Sequence, residues 1–151
     1  MQNGLLPRDQ RREAKHKQHQ EGREQVVNST AISIEGAVGT VGPQSPAIRR
    51  GNIIAIGGQV GADPRSGILC DGIHEQLRQA MTNVQDLLKQ AGASFSDTVM
   101  IHVYLTEEGH FREMNAVLSE FLTEPYPART TVYTQLPPDF LVEVEALAVL
   151  E

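Results

Sequence analysis

The chain of 151 residues contains no tryptophan and only one cysteine, Cys70, and aromatic residues make up 5% of it. A single cysteine cannot form a disulfide within the chain, which is typical of proteins in a reducing compartment. No hydrophobic run approaches the length of a membrane span, and the first residues lack the apolar core of a secretory signal peptide. These absences predict a cytoplasmic protein that does not bind membranes.

Basic residues are also scarce, with 13 lysines and arginines against 19 aspartates and glutamates. The imbalance lies in residues 30–151, which hold seven basic and fifteen acidic residues and carry a net charge of −8. Binding to nucleic acid phosphates needs clustered lysine and arginine side chains. The composition therefore argues against nucleic acid as the main partner.

Motifs for metals and nucleotides are missing as well. His74, His102 and His110 do not have the spacing of a zinc site, and Cys70 lies by a turn with no sequence-local partner that would lower the pKa of its thiol. The glycines that follow residue 56 do not form a GxGxxG motif before a helix, and neither a Walker lysine motif nor a GxSxG motif occurs. We therefore predict no metal ion and no dinucleotide cofactor.

Residues 1–28 differ in composition from the rest of the chain. They are rich in glutamine, glutamate, arginine, lysine and histidine, with few large apolar residues after Leu6. Such a segment cannot bury enough apolar surface to offset the entropy that is lost when it becomes ordered. We predict that residues 1–28 form a disordered tail, with a partner-binding arm as the alternative, and that residues 29–151 form one folded domain.

Hydrophobic periodicity predicts six strands and two helices in the order β-β-β-α-β-α-β-β. The helices are predicted at 73–91, with Asp71 as N-cap and Gly92 just after the C-terminus, and at 110–122. The predicted strands are 30–34, 52–56, a hairpin strand that begins at 59–61, 98–105, 129–135 and 141–150. This order indicates an α+β fold in which two helices cover one face of a sheet.

The opposite face of the predicted sheet is half polar. In strand 98–105 the odd-numbered residues, beginning with Val99, are expected to face the helices, and the even-numbered residues face away. In strand 141–150 the outward face carries Glu143 and Glu145 among apolar residues. A second subunit is the simplest cover for such a face, which predicts a homo-oligomer with ligand pockets between subunits.

The sequence Tyr126-Pro127-Ala128-Arg129 places one arginine at the start of a strand, beside a proline that stiffens its approach. A fixed guanidinium near an inward carboxylate, here Glu143 or Glu145, could bind a carboxylate-bearing substrate and manage a proton. On spacing alone a solvated arginine is the default interpretation, because most arginines after a loop are solvated.

Several segments between residues 42 and 150 form a specific combination in their order along the chain. They are Gly42-Pro43 with Ser45, Arg50-Gly51-Asn52, Gly58-Gln59-Val60, Asp63-Pro64, Gly67, Gln76 with Gln79-Ala80 and Asn83, Ala91-Gly92, Val103-Tyr104-Leu105, Phe111 with Asn115, Tyr126-Pro127-Ala128-Arg129 and Val142-Glu143-Val144-Glu145-Ala146. In these segments the chain resembles the Rid family (reactive intermediate deaminases, also called YjgF-type proteins).

The resemblance implies a chorismate-mutase-like fold and a homotrimer with a central sheet barrel and clefts between subunits. It also implies hydrolysis of reactive enamines and imines, such as 2-aminoacrylate, to 2-keto acids and ammonia, without a cofactor. By the same resemblance Arg129 would bind the substrate carboxylate and Glu143 would position or activate the attacking water. Thr131 lies where the family uses backbone groups against the substrate, and Asn115 matches a helix asparagine near the cleft.

Two positions that would line the substrate site depart from the family pattern. Gln44 stands where a tyrosine usually follows Gly42-Pro43, and Gly57 stands where a serine often precedes Gly58-Gln59. Gln44, Gly57 and Gly58 are still expected at the site. The departures leave open a protein that binds a carboxylate metabolite without turnover, or an enzyme for a larger, aminomuconate-like enamine.

Overall fold

The computed structural model of the chain describes residues 29–33 and 42–151. The predicted disordered tail, residues 1–28, lies outside the described residues, and so does the segment 34–41. Among the helices of the described part, none has both the length and the apolar composition that crossing a membrane requires.

The described residues form one six-stranded sheet with two α-helices, in the chain order that the sequence predicts. The strands are β1 (Ser29–Ile32), β2 (Ala47–Arg50), β3 (Ile53–Val60), β4 (Thr98–Leu105), β5 (Ala128–Tyr133) and β6 (Val142–Val149). The helices are α1 (Gly72–Gln90) and α2 (Phe111–Phe121). Across the sheet the strands lie in the order β1-β2-β3-β6-β4-β5, and only β4 and β5 run parallel. The predicted α+β class is confirmed.

The first three strands differ from the prediction, although their number is right. β2 occupies residues 47–50, for which no strand is predicted, and residues 53–60 form one continuous strand instead of two. β2 has no clear alternation because it contains two arginines. One of them, Arg49, is half-buried, and its Nη1 donates a 2.6 Å hydrogen bond to the Ala91 carbonyl at the end of α1. The turn predicted at 63–67 does form, and Asp63 accepts the backbone N–H groups of Arg65 and Ser66.

Helix α1 ends as the sequence predicts. Gly92 follows the helix with a φ of 81°, a left-handed conformation that glycine adopts at little cost, and Ala93 N donates to the Leu88 carbonyl over 2.8 Å. At the other end Asp71 is the N-cap residue, but its side chain makes no capping hydrogen bond. Both helices pack on one face of the sheet, and their apolar side chains form one core with inward residues of β3, β4 and β6.

The two faces of the sheet differ in the way that alternation predicts, with one exception. In β6 the residues Val142, Val144, Ala146 and Ala148 are buried, whereas the residues between them are half-buried or exposed. In β4 the register shifts between residues 98 and 100, so that Val99 is 47% exposed. The predicted inward position of Val99 is therefore wrong because a bulge reverses the alternation there.

The face away from the helices is called the open face below. It carries half-buried polar side chains on β4 and β6, and beside them exposed apolar ones. Ile53, Leu147 and Val149 are 51%, 38% and 36% exposed, and Ile53 and Val149 are paired across β3 and β6.

Candidate functional site

Arg129 is the second residue of β5, at one edge of the sheet. Its partner across the β4–β5 ladder is Ile101, which is fully buried under the helices, so the Arg129 side chain lies on the helix-covered face. Nη1 of Arg129 donates a 2.8 Å hydrogen bond to Oδ1 of Asn115 on α2. The Arg129 guanidinium carbon also lies 5.7 Å from the centre of the Phe111 ring, within range of a cation–π interaction. Two contacts from one helix therefore fix the direction of the guanidinium.

A cavity of about 430 Å³ opens beside Arg129 and Asn115. Its size is within the range of small-molecule sites, which have volumes of roughly 300–1,000 Å³. Apart from these two residues its lining is mainly apolar: Ile101, Leu118, Ser119, Leu122, Tyr126 and Pro127. A charged anchor in a mostly apolar pocket is suited to an organic acid whose remaining part is uncharged.

Thr131 lies two residues beyond Arg129 on the same face of β5. Its Oγ1 is 3.7 Å from Sδ of Met114 on α2, and its ladder partner is the buried Val103. The structure therefore places Arg129, Asn115 and Thr131, all expected at the site, between β5 and α2. We call these three residues the arginine group.

Glu143 lies on the open face, away from the arginine group. Its neighbours Val142 and Val144 point into the core, and its ladder partner in β4 is Tyr104. Strand β4 separates β6 from β5, so two strand spacings, about 9–10 Å, lie between the strands of Glu143 and Arg129. Within one chain, the expected closeness of Arg129 to Glu143 or Glu145 is not formed, because their side chains leave opposite faces of the sheet.

The Glu143 carboxylate occupies the space over Gly58. A β-carbon added at Gly58 would overlap Oε1 of Glu143 and would lie 2.6 Å from its Cδ. Residues 57 and 58 lie at a register shift of β3, where the ladder with β6 is interrupted between Ile56 and Gln59. The strand thus needs a residue without a side chain at position 58 so that Glu143 can lie against it.

The remaining expected site residues lie near this shift. Gly57 N donates a 2.9 Å hydrogen bond to the Pro46 carbonyl, which joins β3 to the loop of residues 42–46. Gln44 is an exposed residue of that loop, two positions before Pro46. We call Gln44, Gly57, Gly58 and Glu143 the glutamate group. The arginine group and Glu143 thus lie on opposite faces of the sheet.

The surroundings of Glu143 favour its protonated form. Burial raises the pKa of the Glu143 carboxyl, and the neighbouring Glu145 carboxylate raises that pKa further. Glu145 accepts a 3.1 Å hydrogen bond from the Tyr104 hydroxyl, and its Oε1 also lies 2.9 Å from Nδ1 of His102. A carboxyl group with a raised pKa is typical of general bases and acids.

His102, Tyr104 and Glu145 form a hydrogen-bonded network on the open face that the sequence pattern alone does not predict. Alternation places the three residues on one face, but the register between β4 and β6 decides that His102 lies opposite Glu145. The hydrogen bond to Glu145 also raises the pKa of Tyr104.

The described residues offer neither a cluster of metal ligands nor an activated cysteine. Within residues 29–33 and 42–151, no group of three or more histidine, cysteine, aspartate or glutamate side chains is arranged to hold a metal ion. Burial raises the pKa of the Cys70 thiol, which lowers the fraction of nucleophilic thiolate.

Comparison with known proteins gives consistent matches over the folded part. A family model described as endoribonuclease L-PSP matches residues 34–150. A RutC family protein of Pyrococcus horikoshii is 40% identical over 122 residues, which cover 80% of this chain and 97% of that protein. A 2-iminobutanoate/2-iminopropanoate deaminase of Dermatophagoides farinae is 34% identical over 122 residues, 80% of this chain and 95% of that protein. The crystal structure of RidA from an Antarctic Psychrobacter species superposes with a TM-score of 0.76 at 35% identity, and the match covers 80% of this chain and 99% of that one.

Proposed function

The chain belongs to the Rid family, the YjgF-type proteins matched by the endoribonuclease L-PSP model, and we propose that it is an enamine/imine deaminase. Its substrates would be small carboxylate-bearing enamines or imines of the 2-aminoacrylate type, hydrolysed to 2-keto acids and ammonia. The observation that carries this proposal is the guanidinium of Arg129, fixed by Asn115 beside a cavity with mainly apolar walls. The similarity to a protein named as an imine deaminase supports the same reaction.

Substrate binding in this proposal depends on Arg129. A guanidinium presents its N–H groups in a planar fork that matches the two oxygens of a carboxylate, which an ammonium group cannot do. The bond to Asn115 uses one Nη1–H group and holds the plane of the fork before substrate arrives. The uncharged part of the substrate would lie against the apolar walls, and the backbone at Thr131 would contact it from the other side.

Hydrolysis in this proposal depends on Glu143. Ionised Glu143 takes a proton from a water molecule as the water oxygen bonds to the imine carbon, and the C=N double bond becomes a single bond. The protonated carboxyl group then returns the proton to nitrogen, which gives a carbinolamine. Glu143 next takes the proton of the carbinolamine hydroxyl and passes it to nitrogen, the C–N bond breaks, and ammonia leaves as the C=O bond of the keto acid forms. An enamine such as 2-aminoacrylate would first gain a proton at its terminal carbon and lose one from its nitrogen, which gives the imine. The raised pKa of Glu143 suits a group that both accepts and donates a proton during the reaction.

A complete site requires two chains, because Arg129 and Glu143 leave opposite faces of one sheet. We propose a homotrimer of the chorismate-mutase-like type, in which three sheets form a central barrel. The arginine group of one subunit would meet the glutamate group of its neighbour at each interface. The exposed apolar side chains of Ile53, Leu147 and Val149 support this arrangement, since they would be buried by the neighbouring sheet.

The first test is imine hydrolysis by the purified protein. An amino-acid oxidase generates 2-imino acids in the presence of semicarbazide, and a deaminase lowers the rate of semicarbazone formation. Arg129→Ala should abolish this effect without changing the oligomeric mass, and Arg78→Ala on the surface of α1 should behave like wild type. Unchanged turnover in Arg129→Ala would show that the assignment of the anchor is wrong.

A mixing experiment tests whether the site is shared between subunits. Arg129→Ala and Glu143→Ala are each expected to be inactive alone. In trimers assembled at random from equal amounts of both, about a quarter of the sites would combine an intact Arg129 with an intact Glu143 of the neighbour. Activity near that fraction supports a shared site, and its complete absence in verified mixed trimers would contradict it.

A second candidate function is binding of a carboxylate metabolite without turnover, and a third is an enzyme for a larger, aminomuconate-like substrate. Gln44 and Gly57 favour these alternatives, because within the glutamate group they replace a tyrosine and a serine of the family pattern. Calorimetry with a series of 2-keto acids tests the first of them. Saturable binding that depends on Arg129, together with absent hydrolysis of small imines, would favour binding without turnover.

A further inference from the structure

Two buried amide side chains of α1 hydrogen-bond to strand ends that adjoin Glu143. Gln76 is 2% exposed and Asn83 is 3% exposed, although glutamine and asparagine are mostly surface residues. They are seven residues apart, which places them on the same face of the helix. Neither belongs to the arginine group or to the glutamate group.

The side-chain amide of Gln76 both donates and accepts a hydrogen bond with the backbone of the segment that leads into β6. Its Nε2 donates a 2.9 Å hydrogen bond to the Asp139 carbonyl, and its Oε1 accepts a 2.8 Å hydrogen bond from Leu141 N. Asp139 has a φ of 72°, a conformation that is unfavourable for most residues other than glycine. Leu141 stands two residues before Glu143, so Gln76 fixes the point at which β6 starts.

Asn83 binds the corresponding end of β3. Its Nδ2 donates hydrogen bonds to the Val60 and Ala62 carbonyls over 3.1 and 3.0 Å, and its Oδ1 accepts one from Gln79 over 2.8 Å. Val60 is the ladder partner of Glu143. The residue between Val60 and Ala62 is Gly61, and a β-carbon there would lie 2.7 Å from Cγ of Gln76. The end of β3 therefore packs directly on the helix.

Amide side chains at these positions specify the register of the strands, which apolar side chains could not do. The amide of Gln76 matches one backbone donor and one backbone acceptor at a fixed separation, so a displaced β6 would leave buried polar groups unpaired. A slip of β6 by one residue would turn Glu143 into the core and a valine out to the open face. The hydrogen bonds of α1 thus oppose the displacement that would remove the glutamate group.

We propose that Gln76 and Asn83 are positioning residues for Glu143, which hold the ends of β6 and β3 so that its carboxylate lies over Gly58. The expected fall in kcat rests on the proposed deaminase function, whereas the expected position of the Glu143 carboxylate does not. Neither residue touches the substrate in this scheme. Their effect is transmitted through the backbone of Leu141 and Val60.

The test replaces Gln76 by methionine, which has a similar shape but cannot hydrogen-bond to Asp139 O or Leu141 N. We expect kcat for imine hydrolysis to fall roughly 10- to 100-fold, because a displacement of about 1 Å in a catalytic group costs on this order. We expect KM to change less than about threefold, since the carboxylate anchor is on the other face of the sheet. Gln79→Ala, which loosens Asn83 at a half-buried position, should give a smaller loss of kcat in the same direction.

Arg49→Met is the matched control. It removes two hydrogen bonds from Arg49 to backbone carbonyls, at Ala91 and Gly51, near the opposite end of α1. It should lower stability without changing kcat. Equal kcat values for Gln76→Met, Gln79→Ala and Arg49→Met would overturn the proposal, because the amides would then contribute to stability alone.

A readout without turnover separates this proposal from the deaminase assignment. Carboxyl carbon NMR of Glu143 reports its titration in the folded protein, whether or not the protein hydrolyses imines. In Gln76→Met, or in Gln79→Ala should the former not fold, we expect the titration midpoint of Glu143 to move down toward the ordinary value of glutamate. The midpoint should stay unchanged in Arg49→Met. An unchanged midpoint in the folded Gln76 and Gln79 variants would refute the positioning role, while absent hydrolysis by wild type would refute only the deaminase.

Discussion

Replacing Gly58 by alanine should lower the activity strongly and the stability only slightly. The added β-carbon would overlap Oε1 of Glu143 and lie 2.6 Å from its Cδ, so the carboxylate cannot remain in place. Gly58 has no positive φ, and alanine can therefore adopt the same backbone conformation. The displaced group is the end of a flexible, half-buried side chain, which can rotate toward the open face.

These distances set the expected loss of catalytic rate and the expected loss of stability. Carbon atoms in contact are about 3.5–4.0 Å apart, so the carboxyl carbon must move by about 1 Å or more. A shift of that size in a catalytic group lowers the rate by about 100-fold. Rotation of one side chain away from its preferred conformation should lower the free energy of unfolding by only about 1 kcal/mol.

The semicarbazone assay and urea denaturation measure both quantities on the same samples. Gly109→Ala is the control, because a β-carbon there meets no atom within 4 Å and the backbone φ is not positive. In a Glu143→Ala background the overlap is gone, and Gly58→Ala should then cause no further loss of activity or stability. Full activity in Gly58→Ala, or an equal loss of stability in both backgrounds, would show that the contact between position 58 and Glu143 does not control activity.

Three further predictions concern other parts of the molecule. Glu145→Gln removes the neighbouring charge that raises the pKa of Glu143, so the decline of kcat/KM with falling pH should move to lower pH in a pH–rate profile, since Glu143 must be ionised to act as a base. Leu147→Asp places a charge on the exposed apolar part of the open face and should reduce the oligomeric mass in analytical ultracentrifugation. Arg78→Met breaks the exposed ion pair with Glu120 between α1 and α2, and urea denaturation should show a loss of less than about 1 kcal/mol.

Most of the fold follows from local patterns in the sequence. The apolar stripe of α1, the glycine after it, and the alternation of β6 each depend on residues that are close along the chain, and all three are confirmed. Val99 shows where this approach fails, because its exposure results from a bulge that is set by pairing with β6. β2 shows another limit, since a strand of four residues with two arginines has no periodic signal of its own.

The candidate site shows the same division between local and non-local information. Alternation correctly puts Glu143 and Glu145 on one face of β6. It does not relate the faces of different strands, because that depends on the register of each with β4. For this reason the sequence could nominate Arg129 and Glu143 but could not show that one chain holds them apart.

The position of β6 in the sheet has a consequence for synthesis on the ribosome. β6 is the last strand along the chain, yet it lies in the middle of the sheet between β3 and β4. Until residues 142–149 have left the ribosome, the described strands β1-β2-β3 and β4-β5 lack the strand that lies between them in the sheet. We therefore expect a nascent chain that ends before β6 to expose the apolar inner sides of both helices and to depend on chaperones. Translation pauses just before the codons of residues 142–149 should be especially harmful to its yield.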